Sequence, residues 1–289
     1  VINLIVTFIF KANIISDNLL VSFRKTKNNS FFPGGLNMKK NFLKILLLSI
    51  TTCFVSNTNS FAQMNDALVD AAVNNPARKE ANSSRDAMRK PDEVLKFMGV
   101  GAGDTVLDMV SNGGYYTEML AAIVGKDGRV ISHMFANAGM DPDNEYAQYI
   151  RDSAHMSNVV PIYASFNDLD VKENTLDYVF LIQNFHDFYF DRFDVDVDRI
   201  LAMYRKALKP GGVFAIIDHQ AEPGSPSTTG TTLHRIDPAI IKRDMVNAGF
   251  TFEGELDILQ NYTDDKTKSV FDPEVRGKTS RAVLKFKNP

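Results

Sequence analysis

Two segments about a hundred residues apart constrain this chain most. Val106-Leu107-Asp108 runs into Asn112-Gly113-Gly114-Tyr115-Tyr116, which reads as a buried strand ending on a carboxylate, then a glycine turn, then a helix. Leu208-Lys209-Pro210-Gly211-Gly212 opens Val213-Phe214-Ala215-Ile216-Ile217-Asp218, which reads as a helix end, a tight turn and a second buried strand. Strands this apolar must be covered on both faces. The intervening pattern supplies the cover. Further strands are predicted over 129–134, 159–163, 176–182, 250–258 and 282–286. Helical spacing recurs in Val94, Leu95 and Met98 after Pro91, in Leu120, Ala121 and Val124, and in Val197, Ile200, Leu201, Tyr204 and Leu208. Asp237 is placed to cap a helix whose first residue is Pro238, with Gly249 closing it. Alternation of this kind predicts an α/β fold with a doubly wound, mostly parallel sheet.

The first 62 residues read differently. Met38-Lys39-Lys40 begins a positive stretch, Phe42 to Val55 is largely apolar, and Ser60-Phe61-Ala62 offers small residues at the −3 and −1 positions of a cut before Gln63. The expectation is a signal peptide over 38–62 cleaved near Ala62, with a periplasmic or secreted domain over 63–289 and no stable membrane span after cleavage. Residues 1–37, which begin with Val and precede Met38, are expected to be a mis-translated leader. The sole cysteine, Cys53, lies in the expected signal, so a mature chain would hold no thiol nucleophile and no zinc–thiolate site. A net charge of −3, with no Lys/Arg cluster beyond short runs, gives no reason to expect a nucleic-acid partner.

Ligands of such sheets bind beyond the carboxyl ends of the strands. That rim gathers Asp108–Tyr116, His133–Asn137, Asn167-Asp168, Asn184-Phe185-His186-Asp187 and Asp218-His219-Gln220. A histidine beside a carboxylate, as in His186-Asp187, is a candidate general base, and His219 follows the fifth strand on the same rim. Asp187 and Asp168 are equally suited to capping local turns. Three histidines and several carboxylates converge here, but none has a ligand spacing such as His-x-x-x-His, and no metal ligand is assigned. Arg235 suits an anion clamp or a surface ion pair. No Gly-x-Ser-x-Gly element supports a serine hydrolase.

Arg89-Lys90-Pro91, the Asp108 strand, Gly113-Gly114-Tyr115-Tyr116-Thr117-Glu118, Asn184-Phe185-His186-Asp187, Asp218-His219, Leu233-His234-Arg235-Ile236-Asp237 and the final Lys-Phe-Lys-Asn-Pro together carry a resemblance. From about Arg85 to Pro289 the chain resembles a small bacterial group of class I S-adenosylmethionine-dependent methyltransferases, many of them exported. The resemblance implies a seven-stranded Rossmann-like sheet with an antiparallel C-terminal hairpin. It further implies S-adenosyl-L-methionine as cofactor, held by Asp108, Gly113, Gly114, Tyr115, Asn137 and Asp168. His186, Asp187 and His219 would face an unidentified small-molecule acceptor. In that family the first strand leads into three alternating glycines; here Val110 and Asn112 hold the first two places and Gly114 the third. The family also carries an acidic residue after the second strand, where this chain has Ser132-His133-Met134-Phe135-Ala136-Asn137. The residues therefore leave a second reading open: an exported ligand-binding protein, or a degenerate enzyme, that keeps the fold without turning the cofactor over.

Overall fold

The computed structural model describes residues 63–135 and 144–289. The expected leader, the expected signal segment and Asn137 lie outside the described residues. Seven strands form one sheet: β1 (Thr105–Met109), β2 (Arg129–Phe135), β3 (Val159–Ala164), β4 (Leu176–Ile182), β5 (Leu208–His219), β6 (Thr251–Leu256) and β7 (Arg281–Lys287). Their order is β3-β2-β1-β4-β5-β7-β6. The pairs β1–β2, β1–β4, β2–β3 and β4–β5 are parallel, whereas β7 runs antiparallel to both β5 and β6. The expected fold, with its C-terminal antiparallel hairpin, is the one observed. Strand order reverses between β1 and β4, which puts the crevice for a ligand at their carboxyl ends.

Side chains on successive strand residues point to opposite faces, and each face is apolar. Val106, Phe180, Ala215, Ile217 and Val283 join one buried layer, while Leu107, Val179, Phe214, Ile216 and Leu284 join the other. The first layer is covered by α1 (residues 63–73), α2 (Pro91–Met98), α3 (Tyr115–Val124) and α4 (Glu145–Asp152). The second is covered by α5 (Val197–Ala207) and α6 (Pro238–Asn247). Asp237 caps α6 by accepting from the Ala239 amide at 2.9 Å, with Pro238 in the first turn, as its position in the sequence predicts.

One boundary differs from expectation. Lys209–Gly212 is not a turn ahead of β5 but an excursion within it, because Leu208 already pairs with Leu176 before Val213 pairs with Tyr178. Gly211 takes φ +81° there, and Asn288 bonds both edges of the excursion: the Gly211 amide donates to its carbonyl and its amide donates to Gly212, each at 2.8 Å. The bulge is held by the chain's last residues, which no local pattern could reveal.

Candidate functional site

The loop after β1 keeps an unusual backbone. Val110, Asn112 and Gly114 sit at φ +49°, +50° and +77°, in alternation with residues of ordinary φ. Asn and Gly tolerate this left-handed region, but a β-branched valine there is strained by about 1–2 kcal/mol. The loop thus takes a glycine-type path without two of the glycines. It is held by the Ser111 amide donating to the His133 carbonyl at 2.9 Å and by Ser111 Oγ lying 2.7 Å from Ser132 Oγ. A Cβ on Gly114 would stand 2.5 Å from the Tyr146 ring of α4, so close packing explains that glycine. A Cβ on Gly113 would meet nothing within 4 Å.

Asp108 ends β1 with its carboxylate buried, accepting from Thr117 Oγ1 at 2.6 Å. Burial pushes its carboxyl up to about 7, against the opposing pull of the Thr117 hydroxyl. No described residue forms an ion pair with it. Asp108, Gly113 and Tyr115 line one cavity of about 110 Å³ together with Val110, Gln183 and Arg89. The Tyr115 hydroxyl donates to Asp86 at 2.7 Å, and the guanidiniums of Arg89, Arg85 and Arg78 lie 4.6, 5.0 and 5.6 Å from its ring centroid. Asp168 is exposed and lines neither this cavity nor the next; its carboxylate accepts from Ser165 at 2.6 Å as β3 ends. Both ring nitrogens of His133 are engaged, one with the Val110 amide and one with the Ala164 carbonyl.

A second cavity, of about 200 Å³, shares Arg85, Arg89 and Gln183 with the first. Arg276, Arg281, His219 and Thr279 complete its polar lining, and no aspartate or glutamate among the described residues faces it. Arg281 is buried, donates to the Met88 carbonyl at 2.6 Å, and leaves its Nε without a partner. Arg89 donates to Gln183 at 3.2 Å. Burial, followed by repulsion from neighbouring guanidiniums, holds both Arg89 and Arg281 below the usual arginine range. His219 pairs through Nδ1 with the Thr279 hydroxyl at 2.8 Å. Burial presses its imidazole down to about 3, with the Arg281 and Arg235 charges adding to the effect, so the ring is neutral. Apart from His219, the sequence assigns these polar wall residues no role at a site, because Arg85 and Arg89 lie almost two hundred residues from Arg276 and Arg281.

His186 and Asp187 line neither cavity. His186 Nδ1 lies 2.8 Å from Asp218 Oδ1, and the His186 amide donates to Asp218 Oδ2 at 2.9 Å. Burial lowers the imidazole, but the Asp218 charge and hydrogen bond override it, and the net shift is upward. His234, on the loop beyond β5, brings Nδ1 to 3.3 Å from His186 Nε2. Arg235 is neither an anion clamp nor a surface pair. It is fully buried and forms a two-point bridge to Asp264 at 2.8 and 2.9 Å, with further bonds to the Gln220 and Lys268 carbonyls.

A buried carboxylate, a left-handed loop and a 3-2-1-4-5-7-6 sheet now stand together. Residues 107–216 match the methyltransferase domain family. The match supports a class I S-adenosylmethionine-dependent methyltransferase, and S-adenosylmethionine as the cofactor. No curated protein matches the chain. Solved structures similar in fold include a SAM-dependent methyltransferase from Aquifex aeolicus, 20% identical, covering 71% of this chain and 93% of that one at a TM-score of 0.52. The [4+2]-cyclase SpnF is 16% identical, with 79% and 94% covered at 0.53. Geranyl diphosphate C-methyltransferase from Streptomyces coelicolor is 17% identical, with 76% and 88% covered at 0.50. At such identities the likeness is one of fold. Among the described residues no helix is long and apolar enough to cross a membrane.

Proposed function

We propose that the protein transfers the methyl group of S-adenosylmethionine to a small acceptor bearing a carboxylate or phosphate. The observation that carries this reading is the arginine-walled cavity that shares Arg85, Arg89 and Gln183 with the cavity under the β1 loop. When bound, the cofactor supplies an electrophilic methyl on a sulfonium. Asp108 suits its positively charged end, being a buried carboxylate with no cationic partner among the described residues, and the open side of Gly113 leaves room there. The ribose end has no carboxylate within β2.

Methyl transfer asks chiefly that nucleophile and sulfonium be held in line. Arg85, Arg89, Arg276 and Arg281 would orient the acceptor through its anionic group, since guanidinium forks match carboxylate and phosphate oxygens. His219 lines the same cavity as a neutral imidazole. Burial is the main cause of its low basicity, followed among the lowering effects by the His186 and Arg281 charges; an anion beside Arg281 would offset the last of these and raise the basicity of His219 by that part. The proton released by the acceptor would pass to its ring.

The test is calorimetric titration of the full chain with S-adenosylhomocysteine. Stoichiometric micromolar binding supports the reading; absent or millimolar binding to folded protein favours the ligand-binding or degenerate alternative, which the valine and asparagine of the β1 loop favour. With a methylated acceptor in hand, Arg281→Met should raise KM far more than it lowers kcat. We also propose export, on the layout of Met38–Ala62; mass spectrometry of the native N-terminus would show Gln63 as the first residue, and any peptide from 1–37 would rule out the leader reading.

A further inference from the structure

We propose that His186, Asp187 and His234 bind one divalent transition-metal ion of the zinc class. The reading is independent of methyl transfer. His186 Nε2 lies 3.3 Å from His234 Nδ1 and 3.4 Å from Asp187 Oδ1, and one ligand atom from each of the three residues lies within 4.8 Å of the others. Ligand atoms about 2.1 Å from a tetrahedral zinc stand about 3.4 Å apart. Direct partners would sit closer: neutral hydrogen bonds centre near about 2.9 Å and charge-assisted ones at about 2.7–2.9 Å. The spacing is that of atoms around a shared centre.

The outer contacts have the form such ligands need. Asp218, itself fully buried, takes Nδ1–H of His186 at 2.8 Å, which fixes the tautomer and turns the Nε2 lone pair toward the cluster. Asp218 is in turn anchored by the amides of His186 and His219. Asn184 donates to Asp187 Oδ2 at 2.7 Å and leaves Oδ1 for the ion. His234 is itself the left-handed residue, φ +54°, that ends the short helix Thr229–Leu233. That helix is pressed against the His186 turn, since a Cβ on Gly230 would stand 2.7 Å from the His186 carbonyl oxygen.

Two imidazole nitrogens and one carboxylate oxygen suit zinc and its neighbours rather than magnesium or calcium. Three protein ligands leave a coordination position open to water or an anionic oxygen. The Phe271 ring lies 4.7 Å from that of His234 and also lines the arginine cavity, so the ion would sit just behind the cavity wall.

The experiment is titration of the full chain, stripped of metal by chelation, with zinc ion against a competing chromophoric chelator. One ion per chain at submicromolar affinity is expected, and cobalt in its place should give the intense visible bands of a four-coordinate site. His234→Ala and Asp187→Asn should each weaken zinc at least about 100-fold, and Asp218→Asn about 10–100-fold. All are compared at equal far-UV dichroism, with His155→Ala, whose ring lies against Tyr149 of α4 and outside the cluster, unchanged in affinity. Should Asp218→Asn fail to fold, the part-exposed His234 position carries the test. Failure of the wild type to bind zinc, or wild-type affinity in both His234→Ala and Asp187→Asn, overturns the assignment.

Discussion

Replacing Asp108 with asparagine is expected to stabilise the protein at alkaline pH and to change it little in acid. The carboxylate is 2% exposed, and burial raises its pKa from 3.8 to about 7. Between those values the folded chain holds a proton that the unfolded chain has released. This group's contribution to stability is therefore fully present below 3.8 and is lost as pH rises through about 7. At about 1.4 kcal/mol per pH unit, the accumulated cost of the ionised carboxylate at alkaline pH is about 4 kcal/mol. Asparagine is the same size, still accepts from Thr117, and never ionises. Urea unfolding of both proteins at about pH 4.5 and about pH 8 should show the gap in favour of Asp108→Asn widening by about 3 kcal/mol. A gap that stays constant with pH would refute the buried protonated carboxyl. The same group ties stability to ligand binding. A cation beside Asp108 expels its proton, so cofactor affinity should rise up to tenfold per pH unit below 7 in the wild type and lose that dependence in the variant.

Three further outcomes follow from the packing. Gly114→Ala, which needs a left-handed backbone and drives a Cβ to 2.5 Å from Tyr146, should cost more than about 2 kcal/mol in thermal unfolding, while Gly113→Ala should lie within about 0.5 kcal/mol of wild type. Asp264→Asn leaves the Arg235 guanidinium buried and unpaired, and chemical denaturation should register a loss of about 3–5 kcal/mol. Arg89→Met removes a half-buried charge repelled by Arg85, so its stability should equal or exceed wild type, with the gain shrinking as salt is added. A marked loss of stability in Arg89→Met would show that the guanidinium is structural.

The seven strands, the helices α2, α3, α5 and α6 and the Asp237 cap were legible in the sequence because each rests on a local signal: an apolar run, a period of two or 3.6, a capping residue; α4, between β2 and β3, was not read. Asp108 and Gly113 were also legible, since a strand, its terminal carboxylate and the following turn are neighbours in the chain. The left-handed path through Val110 was not, because a β-branched residue disfavours it; β2 imposes it through His133 and Ser132. Nor was the arginine wall, which exists because β7 enters the sheet antiparallel beside β5 and carries Arg281 to the helical segment of Arg85 and Arg89. His234 meets His186 for a similar reason, as the loop beyond β5 folds back over the end of β4. Periodicity records which face of an element is buried. Which charges share a cavity depends on strand order and register, and these are set by packing between elements far apart in the chain.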